Sequence, residues 1–162
     1  MIGIGTVVDN VRFIHPSARI YHHCVIRSGV SIGEGVVIGH LVVVERDTEI
    51  GEFTTIQSQC HITAQAVIGP HCFFGPGVLM SNEKNIANSG RTTPLIEGPR
   101  IGRGVRIGTG AYIAPGVTIG DNAFVFARSF VSKNIPAGEI WANVNGKSRA
   151  SKIGEVRREE WL

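Results

Sequence analysis

The sequence predicts an all-β fold in which very short strands alternate with tight corners and wind into a parallel coil. Three observations predict it. Large apolar residues recur every six positions, from Ile14 through Ile20, Ile26, Ile32, Ile38, Val44, Ile50, Ile56, Ile62, Ile68 and Phe74 to Met80, and again from Ile101 through Ile107, Ile113, Ile119 and Val125 to Val131. Four residues after each, Met80 excepted, comes a small or β-branched residue, such as Ala18, Cys24, Val30, Thr48, Cys60, Cys72, Val78, Ala111 or Ser129. Glycines then fall in the intervals, and both Gly33, Gly39, Gly51, Gly69 and Gly120, which follow the large residue, and Gly35, Gly77, Gly104, Gly110 and Gly116 are expected to supply the positive φ of tight corners. A period of six is neither the helical 3.6 nor the alternation of a long strand. Composition agrees: with 21 glycines and 18% charged residues in 162, the chain lacks helix builders, and its 43% hydrophobic content is too high for disorder.

The elements follow in chain order. Each hexapeptide is one strand and one corner, and three corners close a coil, so Ile14 to Met80 is an unbroken stack. Residues 81–100 (SNEKNIANSGRTTPLIEGPR) are polar, break the period and shift the register by three. An insertion in a rigid repeat is a natural place for function. The period resumes from Ile101 to Val131, and residues 1–150 are taken as one domain. Ser151 to Leu162 reads as a short amphipathic helix capping the exposed strand edges of the last coil.

The same phase places Cys24, Cys60 and Cys72 at the small inward position, where they are expected to be buried, reduced and structural. Cys24 and Cys60 share a column two coils apart, roughly 9.6 Å at the strand spacing, too far for a disulfide. His22 and His40 share an outward column one coil apart, which brings a metal site into consideration, with surface imidazoles the plainer reading and no metal expected. Gly146-Lys147-Ser148 lacks the leading glycine of a phosphate-binding loop, since Trp141 stands there, and no Gly-x-Gly pair is completed to a dinucleotide fingerprint. The longest aliphatic run, Leu41 to Val44, is too short to cross a membrane, and the Met1 end does not have the order of a signal peptide, so a cytoplasmic protein is expected.

The hexapeptide pattern over about residues 8–145 resembles that of the hexapeptide-repeat acyltransferases. The resemblance implies a left-handed parallel β-helix of triangular cross-section, about seven coils long, with coenzyme A thioesters such as acetyl-CoA as co-substrate. Ile56-Gln57 and the stretch Phe74-Gly75-Pro76-Gly77-Val78-Leu79-Met80-Ser81-Asn82-Glu83-Lys84 resemble bacterial nucleotide-sugar N-acetyltransferases, whose Thr-Asn-Asp-Lys loop places an Asn carboxamide on the sugar amine. By that resemblance Asn82 is the catalytic candidate, with Gln57, His61, Ser81, Glu83 and Lys84 binding the acceptor. Ser81 and Glu83 replace the commoner Thr and Asp, and Asn85 the usual aromatic. Phe126-Ala127-Arg128-Ser129-Phe130-Val131-Ser132-Lys133 resembles the family segment whose backbone amides hold pantetheine, which makes Gly116, Ala127, Arg128, Lys133 and Lys147 the co-substrate candidates. Arg128 stands for the usual Gly.

Charge fits this reading. Residues 1–90 carry five Lys/Arg against seven Asp/Glu, whereas residues 91–162 carry eleven against six, and the phosphates of coenzyme A are a polyanionic partner for the basic half. Neither nucleic acid nor a membrane surface is expected. An amine attacking a thioester needs orientation, an oxyanion donor and a proton acceptor. A hydroxyl acceptor asks in addition for a general base, commonly His, and no His follows His71. The expected function is thus N-acyl transfer to a nucleotide-linked amino sugar. O-acyl transfer or another small amine, a non-catalytic trimeric scaffold, and a zinc-dependent lyase are the alternatives. Outward Val37, Val43, Phe73 and Leu79 lead us to expect a homotrimer.

Overall fold

A computed structural model describes residues 1–85, 95–144 and 147–152. Most strands are two residues long, and they stack into three parallel sheets that form the faces of a left-handed β-helical prism. The first face holds the strands beginning at Val7, Val25, Val43, His61, Leu79, Tyr112 and Phe130. The second holds those beginning at Phe13, Ser31, Glu49, Val67, Arg100 and Thr118, and the third those beginning at Arg19, Val37, Thr55, Phe73, Arg106 and Phe124. The chain visits the faces in that order. Residues therefore pair 18 apart, as in Val25↔Val43, and 33 apart across the inserted loop, as in Met80↔Ile113.

Periodicity in the sequence becomes the core. From Ile20 onward the second residue of each two-residue strand points inward and is buried, and Phe74 is the largest fully buried side chain. Ile14, in the first coil, is half-buried because it has fewer neighbours beyond it. Polar members of the small inward position are satisfied by the next coil: Thr48 Oγ1 donates to Thr63 O at 3.1 Å and Thr54 Oγ1 to Gly69 O at 3.0 Å. The cysteines repeat this bond, with Sγ donating from Cys24 to Gly39 O, from Cys60 to Gly75 O and from Cys72 to Gly102 O at 2.9–3.2 Å. All three are free and buried. Burial pushes the Cys60 thiol up to about 11, so it is protonated near neutrality. We expect Cys60 to resist iodoacetamide at pH 8 until the protein is unfolded, with peptide mapping as the check. Because the folded value is the raised one, stability should fall as pH climbs from the ordinary thiol value toward 11.

The glycine expectation needs correction in one half. Gly77 has φ +69° and Gly35, Gly104, Gly110 and Gly116 are likewise left-handed, but the glycines directly after the large residue are not. Those sit where coils touch. A Cβ on Gly39 would lie 2.5 Å from Ser58 N, so what excludes a side chain there is the backbone of the next coil. Conversely, among the described residues nine left-handed corner positions carry other residues, including His23, Leu41, Phe53, Gln59 and Arg128. The coil holds this conformation at most of its corners whether or not the residue is glycine, Ser17 and Asn134 being exceptions.

The end of the chain also departs from expectation. Glu139–Val144 extends the third face and pairs antiparallel with Lys147–Lys152, so Ser151 and Lys152 are strand and the predicted helix does not begin at Ser151. The boundary drawn at residue 150 falls inside that strand, while residues 153–162 lie outside the described part. Trp141 pairs with Val125, is buried, and donates its indole N–H to Phe130 O at 3.2 Å, which closes the last coil of the core. No helix occurs among the described residues.

Candidate functional site

The candidate site lies where the first run of strands ends. Leu79–Met80 ends on the first face, and Ser81 continues the coil by donating its N–H to Ile113 O at 3.1 Å. The chain then leaves as a loop whose base is a short antiparallel stem. Glu97 N donates to Asn82 O at 2.7 Å, Lys84 N donates to Leu95 O at 3.3 Å, and Glu83 bridges Ile96. Lys84 Nζ and the Glu97 carboxylate form an exposed ion pair, which adds little stability but ties the two arms of the stem. Gly116 donates its N–H to Glu97 O at 2.9 Å, and a Cβ there would lie within 2.9 Å of the Glu97 carboxylate. Gly116 thus has a structural reason to be glycine, as the seat of the returning arm.

Asn82 is half-buried, and its Nδ2 donates to Ala64 O at 3.2 Å, one coil back at the equivalent position. A carbonyl can only accept, so this bond fixes the amide: Nδ2 is turned to the scaffold and Oδ1 is left as an acceptor. Ser81 Oγ lies 2.6 Å from the Tyr112 hydroxyl, and the Tyr112 ring stacks on Phe130 at 5.2 Å and 13°. Tyr112 was not singled out from the sequence. An aromatic at an outward strand position reads as ordinary face residue, and its partner is 31 residues away across the insertion. The register arithmetic that pairs Met80 with Ile113 was the signal that could have found it.

All the candidates but Lys147 lie on the first face or along its two edges. His61 is on the first face, paired with Leu79 and half-buried. Ser81, Asn82, Glu83, Lys84, Gly116 and Lys133 lie along the edge between the first and second faces. Lys133 falls two coils beyond Asn82 in that column, about 9.6 Å at the strand spacing. Gln57, Ala127 and Arg128 lie along the opposite edge, between the third and first faces, so the structure does not bring Gln57 next to Asn82. Arg128 is exposed and left-handed, φ 58°, at the position Gly77 and Gly110 hold in preceding coils. The backbone of Lys147 lies in the final strand on the third face. Hollows of about 400 Å³ beside Gly33 and Gly51 and about 270 Å³ beside His71 and Arg106 lie on the other two faces, and Asn82 lines neither.

Metal chemistry finds no support in the histidine column. His22 and His40 stack with centroids 5.2 Å apart and planes at 11°, and His22 Nδ1 accepts a hydrogen bond from Ile4 N. A metal must lie in the plane of each imidazole, and two nearly parallel stacked planes offer no shared point. No group of three or more His, Cys, Asp or Glu able to hold a metal occurs among the described residues.

Comparison with known proteins gives the family to which this parallel β-helix, with a loop let into one edge, belongs. The family described as bacterial transferase hexapeptide (six repeats) matches residues 13–46, 47–82 and 98–133, and the chain belongs to it. The chain is 32% identical over 124 residues to UDP-3-O-acylglucosamine N-acyltransferase of Campylobacter curvus (strain 525.92), covering 76% of this chain and 34% of that protein. Among solved structures it is similar to a histidine-to-asparagine mutant of perosamine N-acetyltransferase from Caulobacter crescentus in complex with CoA and GDP-perosamine. That likeness has a TM-score of 0.64 and 26% identity, over 90% of this chain and 58% of that one. A maltose O-acetyltransferase from Clostridium difficile 630 aligns with a TM-score of 0.67 and 25% identity, over 75% of this chain and 68% of that one. The chain thus spans about a third of the length of that Campylobacter relative.

Proposed function

We propose that this chain is an acyl-CoA-dependent N-acyltransferase, acetyl being the first acyl group to test, and that its acceptor is the amine of a nucleotide-linked amino sugar. The observation that carries the reading is the fixed Asn82 carboxamide, whose Nδ2 is held by Ala64 O at 3.2 Å while Oδ1 remains to accept an N–H. A neutral acceptor orients an amine without the negative charge that would favour its protonated, non-nucleophilic form. The relatives support the pairing of substrates, since the Caulobacter structure holds CoA and GDP-perosamine. In the proposed reaction the amine nitrogen attacks the thioester carbonyl, the carbon–sulfur bond breaks, and the departing thiolate takes up the proton released from nitrogen. Backbone N–H groups serve the oxyanion.

Lys133 is proposed to meet a phosphate of the co-substrate, and Ala127 and Arg128 to line its path. Calorimetric titration of acetyl-CoA tests this part. Wild-type binding that weakens in Lys133→Ala supports it, and equal binding removes Lys133 from the site. Arg128 gives a two-sided prediction. A left-handed conformation costs a non-glycine residue about 1–2 kcal/mol, so Arg128→Gly should raise Tm while raising the KM for acetyl-CoA. A raised Tm with an unchanged KM would leave Arg128 without a role in binding.

His61 favours keeping O-acyl transfer as a second reading, because its half-buried imidazole shares the first face with Leu79 and stands one coil from it. Matched amino and hydroxy forms of one sugar separate the two. We also propose a homotrimer. Val7 (53% exposed), Leu79 (47%) and Phe130 (47%) stand on one flat face, and Phe73 (38%) and Phe124 (37%) on another. Sedimentation equilibrium at micromolar concentration should give three times the 17.4 kDa chain mass, and a monomer would overturn the assembly.

A further inference from the structure

Resting on the acyl-transfer reading, we propose that Tyr112 is a positioning residue: its hydroxyl, bonded to Ser81, holds the loop stem so that Asn82 presents Oδ1 to the acceptor. Tyr112 occupies the outward position of its strand on the first face, in register between Leu79 and Phe130. Stacking on Phe130 at 5.2 Å and 13° sets the plane of the ring, and the ring then delivers its hydroxyl to Ser81 Oγ at 2.6 Å. Tyr112 is half-buried although both its column neighbours are exposed, as the stack and the Ser81 bond require.

Asn82 is held from both directions along the coil axis. The coil before contributes Ala64 O, which takes the carboxamide Nδ2. The coil after contributes Ile113 O, which takes the Ser81 N–H, and Tyr112, which takes the Ser81 side chain. Between these supports the chain turns out of the coil, and Glu97 N closes the stem on Asn82 O at 2.7 Å. Two-residue strands have little backbone pairing with which to resist rotation at such an exit. A side-chain bond at the residue immediately before Asn82 supplies the missing restraint, and a site residue works only when the groups behind it are locked. Removing the hydroxyl leaves the phenyl stack in place and frees Ser81 Oγ to turn toward water.

Tyr112→Phe and Ser81→Ala test the latch. Amide hydrogen exchange at the Lys84 and Glu97 N–H groups is expected to quicken by about tenfold in each single variant, and no further in the double variant, while core amides such as Val43 N keep their protection. In turnover, Tyr112→Phe is expected to lower kcat by about five- to tenfold with the acetyl-CoA KM unchanged, the loss of one hydrogen bond's worth of restraint. Combined with Asn82→Ala it should add nothing, because a residue that acts through Asn82 has no effect once the carboxamide is gone. Unchanged exchange at the stem overturns the proposal even if the chain transfers no acyl group, so the latch and the reaction can fail separately. Equal exchange losses with a kcat effect that multiplies that of Asn82→Ala would also overturn it, since Tyr112 would then act by another route.

Discussion

Replacing Asn82 with alanine is expected to lower kcat by about 10- to 100-fold, the loss typical of one positioning contact, with the fold intact. The stem does not depend on the carboxamide: Glu97 N binds the backbone oxygen of residue 82, and Ser81 is bonded independently to Ile113 and Tyr112. Asn82→Asp should be worse than its size suggests. A carboxylate has no N–H for Ala64 O, so it would lose the bond at 3.2 Å and turn a negative oxygen against a carbonyl. It would also stabilise the protonated amine of the acceptor, so the pH optimum for turnover should move upward as more alkaline solution is needed to free the nucleophile. Steady-state kinetics across pH check both points. A lowered Tm with kcat near wild type in Asn82→Ala would make residue 82 a part of the turn alone.

Phe74→Ala is expected to cost about 3–5 kcal/mol of stability, the largest effect we predict on the fold. Phe74 is fully buried, stands in register between Ile56 and Ile107, and lies in the middle of the stack, where neither the open first coil nor the Trp141 cap can relax to fill the gap. In a solenoid each coil contacts its neighbours only, so a void there weakens two interfaces at once. Urea or thermal unfolding measures the loss. A cost below about 1 kcal/mol would mean that residue 74 does not face the core, and with it the six-residue phase would fail.

That phase was legible because burial in this fold repeats regularly on either side of the inserted loop: one large and one small inward position in every six residues leave no room for a second reading of Ile20, Ile38 or Ile56. The cysteines followed from the same count. The role of the glycines was half legible. Sequence shows that Gly39 recurs in phase, but not that its hydrogen faces Ser58 N, because contact between coils is a property of the stack and not of one corner. The antiparallel pairing of Glu139–Val144 with Lys147–Lys152 was missed because the repeat ends before it. Of the site, the resemblance supplied Asn82 and the phase supplied its edge. Anchoring to Ala64 and Ser81's bond to Tyr112 join residues 18 and 31 positions apart, and such bonds become visible only once the register across the inserted loop is known.

The most direct test is to incubate the chain with acetyl-CoA and matched pairs of nucleotide-linked sugars that differ only in bearing an amino or a hydroxyl group, and to identify products by mass spectrometry. The expected result is one acetyl group on the amine of an amino sugar, no product from its hydroxy counterpart, and a strongly reduced yield with Asn82→Ala. Acetylation of the hydroxy sugar in preference to the amine, or the same yield from Asn82→Ala as from wild type, would contradict an amine-directed transfer site at this edge.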